Sequence, residues 1–209
     1  MEFSLIWMYL GFLLAAYSVV ANDSIQTLGT FLSSNKAYFK WYTLWFAASA
    51  MMVFTITYGW YFYDGDISFG RLTQIPFQEI QWYHAMAPAV LLLLTRVGIP
   101  VSTTFLVLSA FATFTVLEKM LMKSMVGYGV AAIAAYLIWV ILERYINEKQ
   151  YHPEYIIFWR VCQWVTSGWL WFAWLQHDMA NIAVFLPRKL MMGDLLMVLV
   201  STVLLLGYV

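Results

Sequence analysis

Three clusters of polar side chains interrupt otherwise apolar stretches, and their residue types suit the binding of small ions. Asn22-Asp23-Ser24-Ile25-Gln26 follows the apolar run 3–20, and His177-Asp178-Met179-Ala180-Asn181 follows the Trp-rich run 155–175. Both read amide or imidazole, Asp, two residues, amide. That shared pattern hints at an internal repeat, and inverted repeats set such elements face to face around one site. The third cluster is Pro100-Val101-Ser102-Thr103-Thr104, a proline that favours a helix start followed by hydroxyl side chains. An unpaired ionised carboxyl deep in a membrane costs at least ~2.5–3.5 kcal/mol. Asp23 and Asp178 therefore require a partner: a cation, an Arg or a proton. Hydroxyls and free N–H groups at a helix start suit a phosphate-like oxyanion. Each cluster also has an ordinary reading, carboxylates at helix ends in the headgroup region and Ser or Thr as simple caps.

The surrounding composition decides what positions these clusters. The chain of 209 residues is 63% hydrophobic and 11% charged, with mean hydropathy +0.74. So few charges cannot cover a solvated surface. Several stretches approach the ~20 apolar residues that span a bilayer core. Net charge is zero and points to no nucleic acid. Cys162, the one cysteine, excludes an internal disulfide or a cysteine metal cluster and reads as a small buried hydrophobe. The acidic start at Glu2 and the lack of a small-residue cleavage site predict that the first apolar segment is retained as a span.

The fold expected is all-α, a polytopic transmembrane bundle with broken or re-entrant helices and inverted-repeat, transporter-like organisation. Spans are expected over 3–20, 41–62, Trp82 to Leu94, 125–142, 155–175 and from 195 onward. Residues 105–117 are too short to span comfortably and are expected to be re-entrant, which brings the count to about six or seven segments. Interrupted helices survive in hydrocarbon only inside protein or beside a wet cavity, so the helix breaks are expected at the three polar clusters. Residues 64–76 read as a water-exposed loop, and Glu143 to Glu154, with Pro153, as another. Arg188-Lys189 read as a membrane boundary, and Glu118, Lys119 and Lys123 as a solvated helix end. His84 and His152 lie beside interface or loop residues without a metal-ligand partner at helical spacing, and the tryptophans as an interfacial belt imply no cofactor. One transmembrane domain, 1–209, is expected, with 1–146 as a first half and 155–209 as the start of a second. The apolar end at Leu206-Gly207-Tyr208-Val209 fits a natural terminus or a longer protein cut short.

At these residues the chain resembles the inorganic phosphate transporter family, sodium- or proton-coupled carriers. Ala21-Asn22-Asp23 and Gly29-Thr30 match that family's Gly-Ala-Asn-Asp-Val-Ala-Asn-Ala-x-Gly-Thr signature, and Asp178, Ala180 and Asn181 match its second copy. Gly98-Ile99-Pro100-Val101-Ser102-Thr103-Thr104 matches its Pro-(Ile/Val)-Ser-Thr-Thr-His element. Gln26 replaces an Asn of the pattern, Phe105 the His and His177 an Asn, while a second Pro-Ser-Thr-Thr element does not occur. The resemblance implies a multi-pass protein of the plasma (inner) membrane that carries inorganic phosphate or a similar oxyanion. It places Ser102, Thr103 and Thr104, with Asn22, Gln26 and Thr30, at the substrate. Asp23, Asp178 and Asn181 would serve a coupling sodium ion, and His177 opens the option of a proton. Arg96, two residues before Gly98, is able to pair with the anion, to pair with Asp23 or Asp178, or to snorkel to the interface. No enzyme chemistry and no cofactor beyond sodium are implied, and the expected partners are the lipid bilayer, the anion and a second copy in a homodimer. The alternative is a non-transporting sensor or scaffold that retains the fold.

Overall fold

The computed structural model describes residues 2–99, 101–146 and 155–209; Pro100, His152 and Pro153 lie outside the described residues. Among the described residues the chain is all-helical, with no strand. Its helices are α1 (Glu2–Asn35), α2 (Trp41–Phe62), α3 (Trp82–Arg96), α4 (Thr103–Ser109), α5 (Phe114–Ile146), α6 (Ile156–Ala183) and α7 (Met192–Tyr208).

Two of the three expected breaks are absent. α1 runs unbroken through Asn22-Asp23-Ser24, and α6 runs unbroken through Gln176-His177-Asp178. Neither cluster holds a Pro or Gly, and the polar side chains bond locally instead of opening the ladder. Thr27 Oγ1, for example, donates to the Asp23 carbonyl at 2.6 Å, a contact that leaves the helix intact. The break after α3 is real. Gly98 takes φ 77°, the left-handed conformation that glycine adopts without strain. Around it Ile99 N–H donates to Leu94 O and Gly98 N–H to Thr95 O, each at 3.0 Å. That is the Schellman arrangement, which satisfies the last carbonyls and stops the helix. The chain resumes at α4, where Ser102 Oγ accepts from Phe105 N–H at 3.3 Å as the N-cap.

The expected segment 105–117 is divided between α4 and the first turn of α5. Glu118, Lys119 and Lys123 consequently lie inside α5 rather than at a helix end, though they stay solvent-facing. Residues 64–76 also differ from expectation. They fold back as a strap in which Ile67, Ser68, Leu72 and Ile75 are buried. Asp66 accepts from Ser68 N–H at 2.7 Å and Gly70 N–H at 3.0 Å, and a single 3₁₀ turn, Arg71–Gln74, follows. Leu190 N–H donates to Gly65 O at 2.9 Å and Trp60 Nε1 to Leu190 O at 2.8 Å. Gln78 Nε2 reaches Phe111 O at 2.9 Å. The strap thus ties α2, the α6–α7 connection and the α4–α5 corner together. Lys189 adds an exposed ion pair with Asp64.

α1 packs against α3, α6 and α7, α2 against α6 and α7, and α4 against α3, α6 and α1. The shared core includes Phe12, Ala15, Ala16 and Val19 of α1 with Trp171, Leu175, Met179 and Ile182 of α6. At the far end Asn35 donates to Gln163 at 3.1 Å and accepts from Trp164 Nε1 at 3.0 Å. His84, expected beside the interface, is buried: its Nδ1 accepts from Gln81 N–H at 2.9 Å, and its ring stacks on Phe111. Two helices, Phe3–Asn35 and Phe114–Arg144, are long and apolar enough to cross a membrane by length and composition, and α7 is a shorter apolar helix. None of the apolar window of α5 is buried.

Gly65 offers a test of the strap. Its φ is 86°, and a Cβ there would lie 3.1 Å from Leu190 N and 3.2 Å from Leu190 O. Gly65→Ala is expected to destabilise the protein by about 1–3 kcal/mol. Gly127→Ala, in open space on α5, is expected to cause no loss. Thermal unfolding in a single detergent checks the contrast.

Candidate functional site

Two unbroken helices bring their carboxyls together. Asp23 in α1 is fully buried and Asp178 in α6 nearly so, and the two side chains lie within hydrogen-bonding reach of each other. α4 inserts its first turn between them. Thr103 Oγ1 donates to Asp23 Oδ1 at 3.2 Å, and Thr104 Oγ1 donates to Asp178 Oδ1 at 2.8 Å. Asn22 Nδ2 donates to Asp23 Oδ1 at 2.9 Å. Asn181 Nδ2 donates to Asp178 Oδ1 and to Thr104 Oγ1, both at 3.1 Å. His177 is half-exposed at the rim, its Nδ1 3.6 Å from Asp178 Oδ1 and 3.5 Å from Thr104 Oγ1.

Local sequence explains these placements. Asp178 and Asn181 are three apart on one helix and share a face. The Gly98 stop and the Ser102 cap set α4 at the level of Asp23 and Asp178, and consecutive threonines then serve the two carboxyls separately. The donors remain fewer than the acceptor sites. Asp23 Oδ2 and Asn181 Oδ1 are buried without a hydrogen-bond donor, a condition costly in an apolar interior. Two unit charges ~4 Å apart repel by about 4 kcal/mol even at an effective dielectric of ~20. One hydrogen bond to a charged group returns only ~1.5–3 kcal/mol. A proton or a cation on the pair removes the repulsion outright, which no single donor here does. The unpartnered acceptors are carboxyl and amide oxygens, the ligands a hard cation takes.

The structure gathers Asn22, Asp23, Thr103, Thr104, Asp178 and Asn181 into one cluster with His177 at its edge. It leaves other expected residues outside. Ser102 is exposed, and its hydroxyl is spent on the cap. Gln26 and Thr30 are exposed on α1. Arg96 makes no ion pair among the described residues; it lines an outer groove with Leu14, Tyr17, Ala89, Leu92 and Leu93. Sequence reasoning missed Arg71, whose Nε donates to Gln176 O at 3.1 Å beside His177. The turn residues Asp66 and Gly70 just before it were the available signal that this loop folds back. Arg188, outside the helices, donates through Nη2 to Ile75 O at 3.2 Å. Burial holds its guanidinium below the ordinary value, and the Asp66 carboxylate opposes that shift. No family model matches the chain, and neither a curated protein nor a solved structure does.

The two carboxyls predict an asymmetry between variants. Asp23→Asn relieves the repulsion and gives the pair an N–H donor, so the variant is expected to unfold no lower than the wild type. Thr104→Val strips Asp178 of a donor and is expected to lose about 1–3 kcal/mol. An Asp23→Asn protein that melts well below the wild type refutes the electrostatic account.

Proposed function

We propose that the chain is a multi-pass carrier of the plasma (inner) membrane that moves inorganic phosphate, or a similar oxyanion, together with a sodium ion or a proton. The observation that carries this reading is the buried Asp23–Asp178 pair, bridged by the hydroxyls of Thr103 and Thr104 at a helix break. Intramembrane carboxyls are expensive and mark ion pathways. The unpartnered oxygens of Asp23 and Asn181 fit a hard cation, and the carboxyl pair fits a shared proton equally well. An oxyanion near two carboxylates is repelled until a positive charge arrives, so anion binding requires prior cation or proton binding. That order is the electrostatic basis of symport. Once the carboxyl oxygens are satisfied by the cation, the threonine hydroxyls are released to donate to the oxyanion.

The anion is chosen by resemblance: Gly98-Ile99-Pro100-Val101-Ser102-Thr103-Thr104 is similar to the Ser-Thr-Thr element of phosphate carriers. The apolar window of α5, none of it buried, supports embedding in lipid, since soluble proteins rarely expose so large a patch.

Proteoliposomes holding the protein are expected to accumulate phosphate under an inward sodium or proton gradient, and Asp178→Asn is expected to abolish uptake while the protein still folds. Absence of phosphate, sulfate and arsenate uptake under both gradients sinks the carrier reading. Binding without flux identifies a sensor instead.

A further inference from the structure

We propose that Arg71 and His177 form an anion-docking position at the mouth of the site, with Arg71 setting the affinity for the incoming oxyanion. The inference rests on the carrier reading. Arg71 belongs to the strap, not to the helices that hold the carboxyls, and its Nε donates to Gln176 O at 3.1 Å. That carbonyl belongs to the residue before His177, so the guanidinium is fixed at the turn of α6 that carries the exposed imidazole. The imidazole in turn lies against Thr104 and Asp178.

A second arginine, Arg188, is seated against the strap from the α6–α7 connection. Arg188 is partly buried: it donates through Nη2 to Ile75 O and lies 5.9 Å from the Phe77 ring, while its Nη1 is buried without a partner. Arg71 is exposed and forms no ion pair among the described residues. Its terminal nitrogens keep the planar donor fork that matches an oxyanion. An exposed cation held by a backbone carbonyl beside a negative site has a specific use. It offsets the repulsion an anion meets from Asp178 and raises the local anion concentration. The chemistry recognised is a small tetrahedral oxyanion free in water, read by two donors at the rim before it reaches the threonines.

The test measures initial rates of inorganic phosphate uptake in proteoliposomes for the wild type, Arg71→Gln and Arg71→Lys, at ionic strengths of ~10 mM and ~150 mM, where the screening length falls from ~30 Å to ~8 Å. The expected result for Arg71→Gln is a KM raised by about tenfold, with kcat nearly unchanged and the salt dependence of KM lost. Arg71→Lys is expected to keep most of that salt dependence. An unchanged KM in Arg71→Gln overturns the proposal, as does a fall in kcat alone, which would make Arg71 a structural clamp. If Arg71→Gln does not fold, the wild type decides: a KM insensitive to ionic strength overturns the proposal, and a KM that rises with salt and is retained in Arg71→Lys supports it. A wild type that takes up no phosphate fails the carrier reading itself, a different outcome from transport that ignores Arg71.

Discussion

Asp23 and Asp178 meet where water cannot dilute their charge, and most of the polar chemistry of the bundle is arranged around that encounter. Thr103 and Thr104 arrive on α4, Asn22 on α1 and Asn181 on α6, each donating to one carboxyl or the other. Their hydrogen bonds orient the carboxyls without cancelling the repulsion between them, which exceeds what any one donor returns. A pair so placed is incomplete by construction, and its unpartnered oxygens are the place where a positive charge completes it. The helix break at Gly98 follows from the same constraint. A continuous α3 could not turn its chain to bring two consecutive hydroxyls to two carboxyls on different helices.

The rest of the structure holds this encounter in register. α1 touches α3, α6 and α7, so any shift of α6 relative to α1 would separate the carboxyls. Both ends of that contact are secured. Asn35, Gln163 and Trp164 close one end through side-chain hydrogen bonds, and the strap after α2 closes the other through Gly65, Leu190 and Arg71. α5 stands apart. Beyond Val116 and Met120, which touch the core, its apolar surface faces outward, an arrangement suited to lipid and unsuited to water.

Much of this was legible in residue types. Asp23 and Asp178 stood out because a charge in an apolar run demands a partner, and Pro100 before three hydroxyl residues announced a helix start. The breaks expected at Asn22-Asp23 and His177-Asp178 did not form. Polar side chains without Pro or Gly leave the backbone ladder of a helix intact, and here they bond one another and α4 instead. Ser102 looked like an anion ligand but is a cap. Gln26, Thr30 and Arg96 carried the right chemistry but are exposed and donate to neither carboxyl. The strap was read as a solvated loop because its charges and turn residues outweigh Ile67, Leu72 and Ile75, whose burial depends on surfaces far along the chain.

The sequence by itself determined the class of the protein: all-helical and apolar, with stretches such as 3–20 and 125–142 near the length that spans a bilayer, and with two carboxyls that could not remain unpaired. These follow from composition and local spacing, which act over a few residues. Only the tertiary structure decided that the two carboxyls pair with each other, that Thr103 and Thr104 divide between them, and that Arg71 bonds the Gln176 carbonyl. Thr103 is 80 positions from Asp23, and Arg71 is 105 from Gln176. Contacts across such separations are selected by the packing of whole helix faces, a quantity no local pattern encodes.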